Sequence, residues 1–283
     1  MTLETAPNQF IETGDTRFAY RRLGGESGVP LVLLQHFTGT MDTWDPAVVN
    51  ALAMDRPVIV FDNAGVGASS GVTPDNVAAM AAHAGKFIGA LGFGPVDLLG
   101  FSLGGFIGQL LAASARVAVR KLILAGTAPQ GGEEHLLAAL KNADSQRHGS
   151  ELRLPLFFTQ SEASQAAGRA FLARQAARTA DRDPNRGQSV SDPQARALIG
   201  WCATPHRGHA ILKGIRQPVL VVSGSADTML PAANAILMFE QLRDALLVLF
   251  PDAGHGALFQ YPELFVAQCR LFLDGPGTRR DFS

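Results

Sequence analysis

Leu98-Leu99-Gly100-Phe101-Ser102-Leu103-Gly104-Gly105 decides the reading of this chain. An apolar run from Val96 to Leu99 feeds into G-x-S-x-G, and Phe106, Ile107, Leu110 and Leu111 follow at helical spacing. Strand, tight turn and helix is the context in which a serine is lifted clear of the backbone to act as a nucleophile. So sharp a turn holds the serine in strained φ/ψ. Gly100 and Gly104 take away the Cβ atoms that would collide there. The start of the following helix aims backbone N–H groups at any negative charge that develops beside Ser102. A Gly-rich turn without chemistry is the alternative, and only partner residues elsewhere can separate the two.

The bulk properties narrow the partners. The chain has 283 residues, of which 47% are hydrophobic, enough for one large core or a core with a small cap. Lys and Arg number 24 against 25 Asp and Glu, with no basic block. Nucleic acid and anionic membrane surfaces are therefore not expected, and a small, weakly charged molecule is. The oligomeric state stays open, a homodimer included. Cys202 and Cys269 have no metal or redox spacing and read as buried thiols of a reduced compartment. The first residues show no signal-peptide pattern, and no apolar run is long enough for a bilayer. The expectation is a cytoplasmic protein.

In chain order, residues 10–13 and 17–23 flank Gly14-Asp15 and read as a hairpin. Leu31-Val32-Leu33-Leu34 is apolar throughout, as in a strand buried on both faces. It empties into Gln35-His36-Phe37-Thr38-Gly39, with a helix expected from Trp44 or Asp45 to about Ala53. A strand at 57–62 follows. Gly65, Gly67 and Gly71 depart from G-x-G-x-x-G spacing, which argues against a dinucleotide loop. Thr73-Pro74 is expected to start a helix, Thr73 as N-cap, with Val77, Met80, Ala81, Ala84, Phe87, Ile88 and Leu91 as its inner stripe.

After a strand at 121–125 the pattern changes, and residues 127–216 hold no buried-strand run. Helices are expected at 133–140, after a capping-box match at Thr159-Gln160-Ser161-Glu162, and at 193–202, with a loop at 181–192. Arg174, Arg178 and Arg182 would share the second helix's polar face. The whole of 127–216 reads as a helical cap between a first core part, 1–126, and a second, 217–283. The strand pattern returns at 218–222 and 245–250, with helices expected at 231–242 and 262–273. Alternating strands and helices mean an α/β fold: a mostly parallel, doubly wound sheet, the first hairpin giving it an antiparallel edge.

A serine nucleophile needs a base, and the base an orienting acid. Functional groups in open α/β sheets gather at the carboxyl ends of strands. Asp62, Ser102, Asp227 and His255 all directly follow strand runs. Of seven histidines, His255, between two glycines past the final strand, is the best base. Asp227 is the best acid, and Asp252, its rival, more easily caps the short loop it shares with His255. His36 follows a strand and could line the pocket. Trp201, Phe157 and Phe158 are large apolar side chains of the cap, and Trp201 is the one singled out, either to touch substrate or to pack within the cap itself.

The order Ser102, Asp227, His255 resembles that of the α/β-hydrolase superfamily, in particular cap-bearing bacterial esterases and non-haem haloperoxidase/perhydrolase-like serine hydrolases. The resemblance rests on Gly100-Phe101-Ser102-Leu103-Gly104, on Gly224-Ser225-Ala226-Asp227 with Pro231, and on Gly254-His255. It implies nucleophile, acid and base at these three points and no metal or organic cofactor. The family usually carries His-Gly-x after the third strand, where the N–H of x completes an oxyanion hole. Matching Phe37-Thr38-Gly39 to the common Phe-Pro-Gly puts His36 at the glycine and makes Phe37 the donor. Matching the histidines instead would make Thr38 the donor. Leu103 would give the second N–H. The resemblance implies a serine hydrolase of ester-type bonds. Lactone or C–C bond hydrolysis, a perhydrolase-like side activity, and a non-catalytic small-molecule receptor on the same fold remain as alternatives.

Overall fold

The computed structural model describes residues 1–114, 116–131 and 150–276. The helix expected at 133–140 lies outside them, as do His135 and His148. Strand β1 (Gln9–Thr13) pairs antiparallel with β2 (Thr16–Leu23) around a Gly14 turn, and β2 pairs antiparallel with β4 (Val58–Phe61). All further pairings are parallel: β3 (Leu31–Leu34), β5 (Val96–Phe101), β6 (Val119–Ala125), β7 (Val219–Gly224) and β8 (Ala245–Phe250). The eight strands lie in the order β1-β2-β4-β3-β5-β6-β7-β8.

The period of two along each strand divides the core. Val32, Leu34, Val96 and Leu98 pack under α2 (Val77–Ala90) and α3 (Leu103–Ser114). Leu31, Leu33, Leu99 and Phe101 face the opposite layer, with α1 (Pro46–Leu52) and the late helix Pro262–Asp274. Strands buried on both faces need helices on both faces, which is why β3 and β5 read as unbroken apolar runs. Between β6 and β7 the described residues hold four helices and no strand: α4 (Ser150–Phe157), α5 (Glu162–Gln175), α6 (Gln188–Ala203) and α7 (Ala210–Gly214). After β7 come α8 (Ala232–Gln241), then past β8 the short α9 (Ala257–Gln260) and α10 (Pro262–Asp274). No helix among the described residues is long and apolar enough to cross a membrane.

Several local expectations are corrected by competing partners. Helix α2 starts at Val77, not at Pro74. Asn76 caps it, its Oδ1 accepting the Ala79 N–H at 2.8 Å, while Thr73 is buried and its backbone packs against the turn at Gly65. Helix α5 is capped by Ser161 rather than Thr159: Ser161 Oγ accepts the Ser164 N–H at 3.1 Å, and the Thr159 hydroxyl lies before the helix and donates to Asp252. Arg178 and Arg182 lie beyond the end of α5, and Arg178 is not a solvated charge. It is buried, its Nη1 donating to the carbonyls of Leu3, Glu4 and Ala6. Arg174 reaches Asp45, the N-cap of α1, through Nε and Nη2 at 2.7 and 2.6 Å. Helix α6 begins at Gln188, five residues earlier than expected, and accommodates Pro193 in its second turn at the loss of one backbone hydrogen bond. At the other end of the sheet, Lys121 of β6 gives its ammonium to the carbonyls of Phe272, Leu273 and Gly275 at 2.7, 3.2 and 2.6 Å, closing the C-terminus of α10.

Candidate active site

The turn from β5 to α3 holds Ser102 at φ +55°, a left-handed conformation that a serine adopts only where its surroundings enforce it. The enforcement is visible. The Ser102 N–H donates to Ala125 O at 3.0 Å, and Ser102 O accepts from Gly105 N at 2.8 Å and Thr127 Oγ1 at 2.9 Å. A Cβ at Gly100 would collide with the Gly104 carbonyl, and one at Gly104 with that of Leu34. Leu103 is the first residue of α3, so its N–H has no intrahelical acceptor.

Asp227 lies just past the end of β7 and uses both carboxylate oxygens. Oδ1 accepts the N–H groups of Met229 and Leu230 at 2.8 and 2.9 Å, and Oδ2 stands 2.8 Å from His255 Nδ1. Two backbone donors fix the carboxylate before the histidine meets it. Since that carboxylate accepts, Nδ1 carries a proton, and in the neutral ring the lone pair is then on Nε2. The His255 ring lies 5.1 Å from Phe101, the neighbour of Ser102, and 5.6 Å from Phe157 of α4. Gly126 closes the gap between the two parts of the site. It follows the Ala125 that receives the Ser102 N–H, and a Cβ there would stand 3.4 Å from His255 Nδ1. Ser102, Asp227 and His255 are all nearly buried.

Asp252 does not meet His255. Nor does it cap its own loop through backbone N–H groups, as the sequence suggested. Its carboxylate accepts the hydroxyls of Thr159 at 2.7 Å and Ser161 at 2.5 Å, in the turn between α4 and α5. Those hydroxyls hold it below the usual carboxylate range. The same turn is stitched to the histidine loop by Gly256 N to Phe157 O, 2.9 Å, and Ser164 Oγ to Gln260 Oε1, 2.6 Å.

His36 is 5% exposed, with its ring edge-on to Phe101 and Phe157. Its Nδ1–H donates to Phe37 O at 2.8 Å, and Nε2 has no hydrogen-bond partner among the described residues. Burial, with Arg153 nearby as the second cause, pushes its pKa down to about 3, so the ring is neutral at physiological pH. Of the two N–H groups left open as oxyanion donors, that of Thr38 is taken, donating to Gln194 Oε1 of α6 at 2.6 Å. The Phe37 N–H has no acceptor among the described residues. Trp201 lies in the layer under α2 and α3, its indole stacked on Phe106 at 5.0 Å and its Nε1–H given to Pro129 O. Gln194 is the residue that sequence reasoning passed over, because a glutamine within a helix carries no spacing signal. An open hollow of about 800 Å³, lined by Met1, Glu4, Asn50 and Arg174 among others, includes none of these groups.

A sequence model of the alpha/beta hydrolase fold matches residues 29–262. A solved structure, an alpha/beta hydrolase fold protein from Chitinophaga pinensis, superposes with a TM-score of 0.92 at 47% identity, covering 98% of this chain and all of that one. The polyketide synthase ThaQ of Burkholderia thailandensis is 31% identical over 261 residues, which are 87% of this chain but 12% of that protein. A pimeloyl-[acyl-carrier protein] methyl ester esterase of Nitrosomonas europaea is 29% identical over 85% of this chain and 94% of its own length.

Proposed function

The chain belongs to the α/β-hydrolase fold family, and from that premise we propose that it is a serine hydrolase that cleaves an ester-type bond of a small apolar substrate. One observation carries the reading: the Asp227–His255 pair at 2.8 Å, beside a serine held at φ +55°. Asp227 fixes the tautomer in which His255 Nε2 is the free base. That nitrogen takes the proton of Ser102 Oγ as the oxygen attacks the substrate carbonyl. The tetrahedral oxyanion receives the N–H groups of Phe37 and Leu103, a donor of this type being worth about 2.7–4 kcal/mol. His255 returns the proton to the leaving alcohol. Water, deprotonated by the same nitrogen, then releases the acid from Ser102.

The segment 127–216 acts as a cap that selects substrate, its α4 placing Phe157 beside His255. The esterase name of the Nitrosomonas relative supports an ester over a C–C bond, and lactones belong in the same test. Labelling with a fluorophosphonate, followed by turnover of an ester and lactone panel graded by chain length, tests the reading. Wild type should label at Ser102 and turn over at least one ester series. Ser102→Ala should fold and lose nearly all activity, since the change removes one small group and the only covalent nucleophile. Residual activity above about a tenth would remove Ser102 from the role. Ligand-induced stabilisation without any turnover would point to a receptor instead.

A further inference from the structure

We propose that Gln194 of α6 is a positioning residue for the oxyanion hole, clamping with His36 the peptide unit between Phe37 and Thr38. The inference rests on the hydrolase reading above. Residues 36–39 form a β-turn, closed by Gly39 N–H to His36 O at 3.0 Å. Thr38, at the third position, has φ +56°, whereas Phe37 is not in the positive-φ region. A hydrogen-bonded turn with positive φ at the third position alone is type II, which strongly favours glycine there. Threonine is β-branched and pays strain in that conformation.

The relaxed alternative is a type I turn, reached by flipping the central peptide, Phe37–Thr38. Both polar atoms of that peptide are held by buried side chains. Phe37 O accepts from His36 Nδ1–H at 2.8 Å, and Thr38 N–H donates to Gln194 Oε1 at 2.6 Å. His36 is 5% exposed and Gln194 1%. A flip would point the Phe37 carbonyl away from its donor and the Thr38 N–H away from its acceptor, leaving buried polar atoms unpaired. The clamp therefore keeps the strained turn in one conformation. The Phe37 N–H belongs to that same turn. An oxyanion donor stabilises charge in proportion to how well it is held before the charge appears. The clamp also gives a reason for a histidine where the family carries glycine, since a glycine has no Nδ1–H to offer. Because Gln194 comes from the segment 127–216, the hole is complete only when α6 is docked.

The test compares wild type, Gln194→Leu, and Gln194→Leu combined with Thr38→Gly, on one ester substrate. Active sites are counted by fluorophosphonate titration, so that only folded molecules enter kcat. Gln194→Leu should lower kcat about 10- to 100-fold, with KM changed less than about threefold. Adding Thr38→Gly removes the strain that drives the flip, and should recover about tenfold of that loss. A merely structural role for Gln194 in α6 predicts no such rescue. The Thr38 amide should also exchange with solvent at least about tenfold faster in Gln194→Leu, a readout independent of turnover. Unchanged kcat per titrated site, a loss confined to KM, or a loss that Thr38→Gly leaves untouched overturns the inference. If wild type fails to label at Ser102, the hydrolase reading is what fails, and the Thr38 amide still reports on the clamp.

Discussion

Asp227 and Asp252 carry the same carboxylate to neighbouring loops, and their partners give them different work. Asp227 meets two backbone N–H groups and the His255 ring, whereas Asp252 meets two hydroxyls of the α4–α5 turn. If Asp227 is the acid proposed above, asparagine there keeps the shape but favours the wrong histidine tautomer. Asp227→Asn should therefore cost about 10³- to 10⁴-fold in kcat. Asp252→Asn keeps an acceptor for the two hydroxyls, and its cost should stay under about tenfold. Measuring both with one ester at one pH decides between them, and the reverse order of damage would move the acid to Asp252. The pairing of Asp227 with His255 was legible in the sequence, because strand-end position and chain order single these residues out. What Asp252 does instead was not legible, since nothing local announces two hydroxyls 91 and 93 residues earlier.

Trp201 is where the helical elements bear on a choice that the sequence left open. Read from sequence as either a substrate contact or a packing residue, it is stacked on Phe106 of α3 and gives its only polar atom to Pro129 O. It thus fastens α6 to the core. Trp201→Ala should cost about 3–5 kcal/mol of stability, the usual range for emptying a buried aromatic site. Chain-length preference should change little by comparison. Thermal unfolding beside the ester panel checks this, and a reordered panel with an unchanged melting temperature would return Trp201 to the substrate. Element boundaries show the same limit. The apolar periodicity of α2 and α10 located their bodies correctly, while the caps at Asn76 and Ser161 were displaced from Thr73 and Thr159. A cap falls where the backbone turns into the helix, at Asn76 and Ser161, and where that happens is settled by packing in three dimensions.

At the scale of the molecule, His36 couples folding to pH. The folded chain keeps it neutral down to about pH 3, whereas an unfolded histidine takes up its proton near 6.5. Below that value the unfolded chain binds the proton first. This residue's contribution is therefore complete above about pH 6.5 and is lost as the pH falls toward 3. Denaturant midpoints of wild type and His36→Asn should converge over that window. Asp62 and Asp183, which burial pushes upward, act in the opposite sense but are common to both proteins. A constant difference from pH 7 to pH 4 would mean that His36 is charged in the fold. The overall architecture was readable because the strands of a two-sided sheet are apolar runs, and the helices between them repeat at 3.6. The attachments of α5 and the stretch after it through Arg174 and Arg178 were not, since an arginine that reaches into the protein and a solvated one look alike in sequence. Lys121 carries a last consequence, for how the chain is made. Its ammonium, in the middle strands of the sheet, waits for carbonyl groups that lie 151, 152 and 154 residues further along. At roughly 5–20 residues per second of synthesis, that interval is on the order of ten seconds. During it the ammonium has beside it only the carboxylate of Asp97, its register partner on β5, and the sheet reaches its final set of contacts only once the last helix has been made.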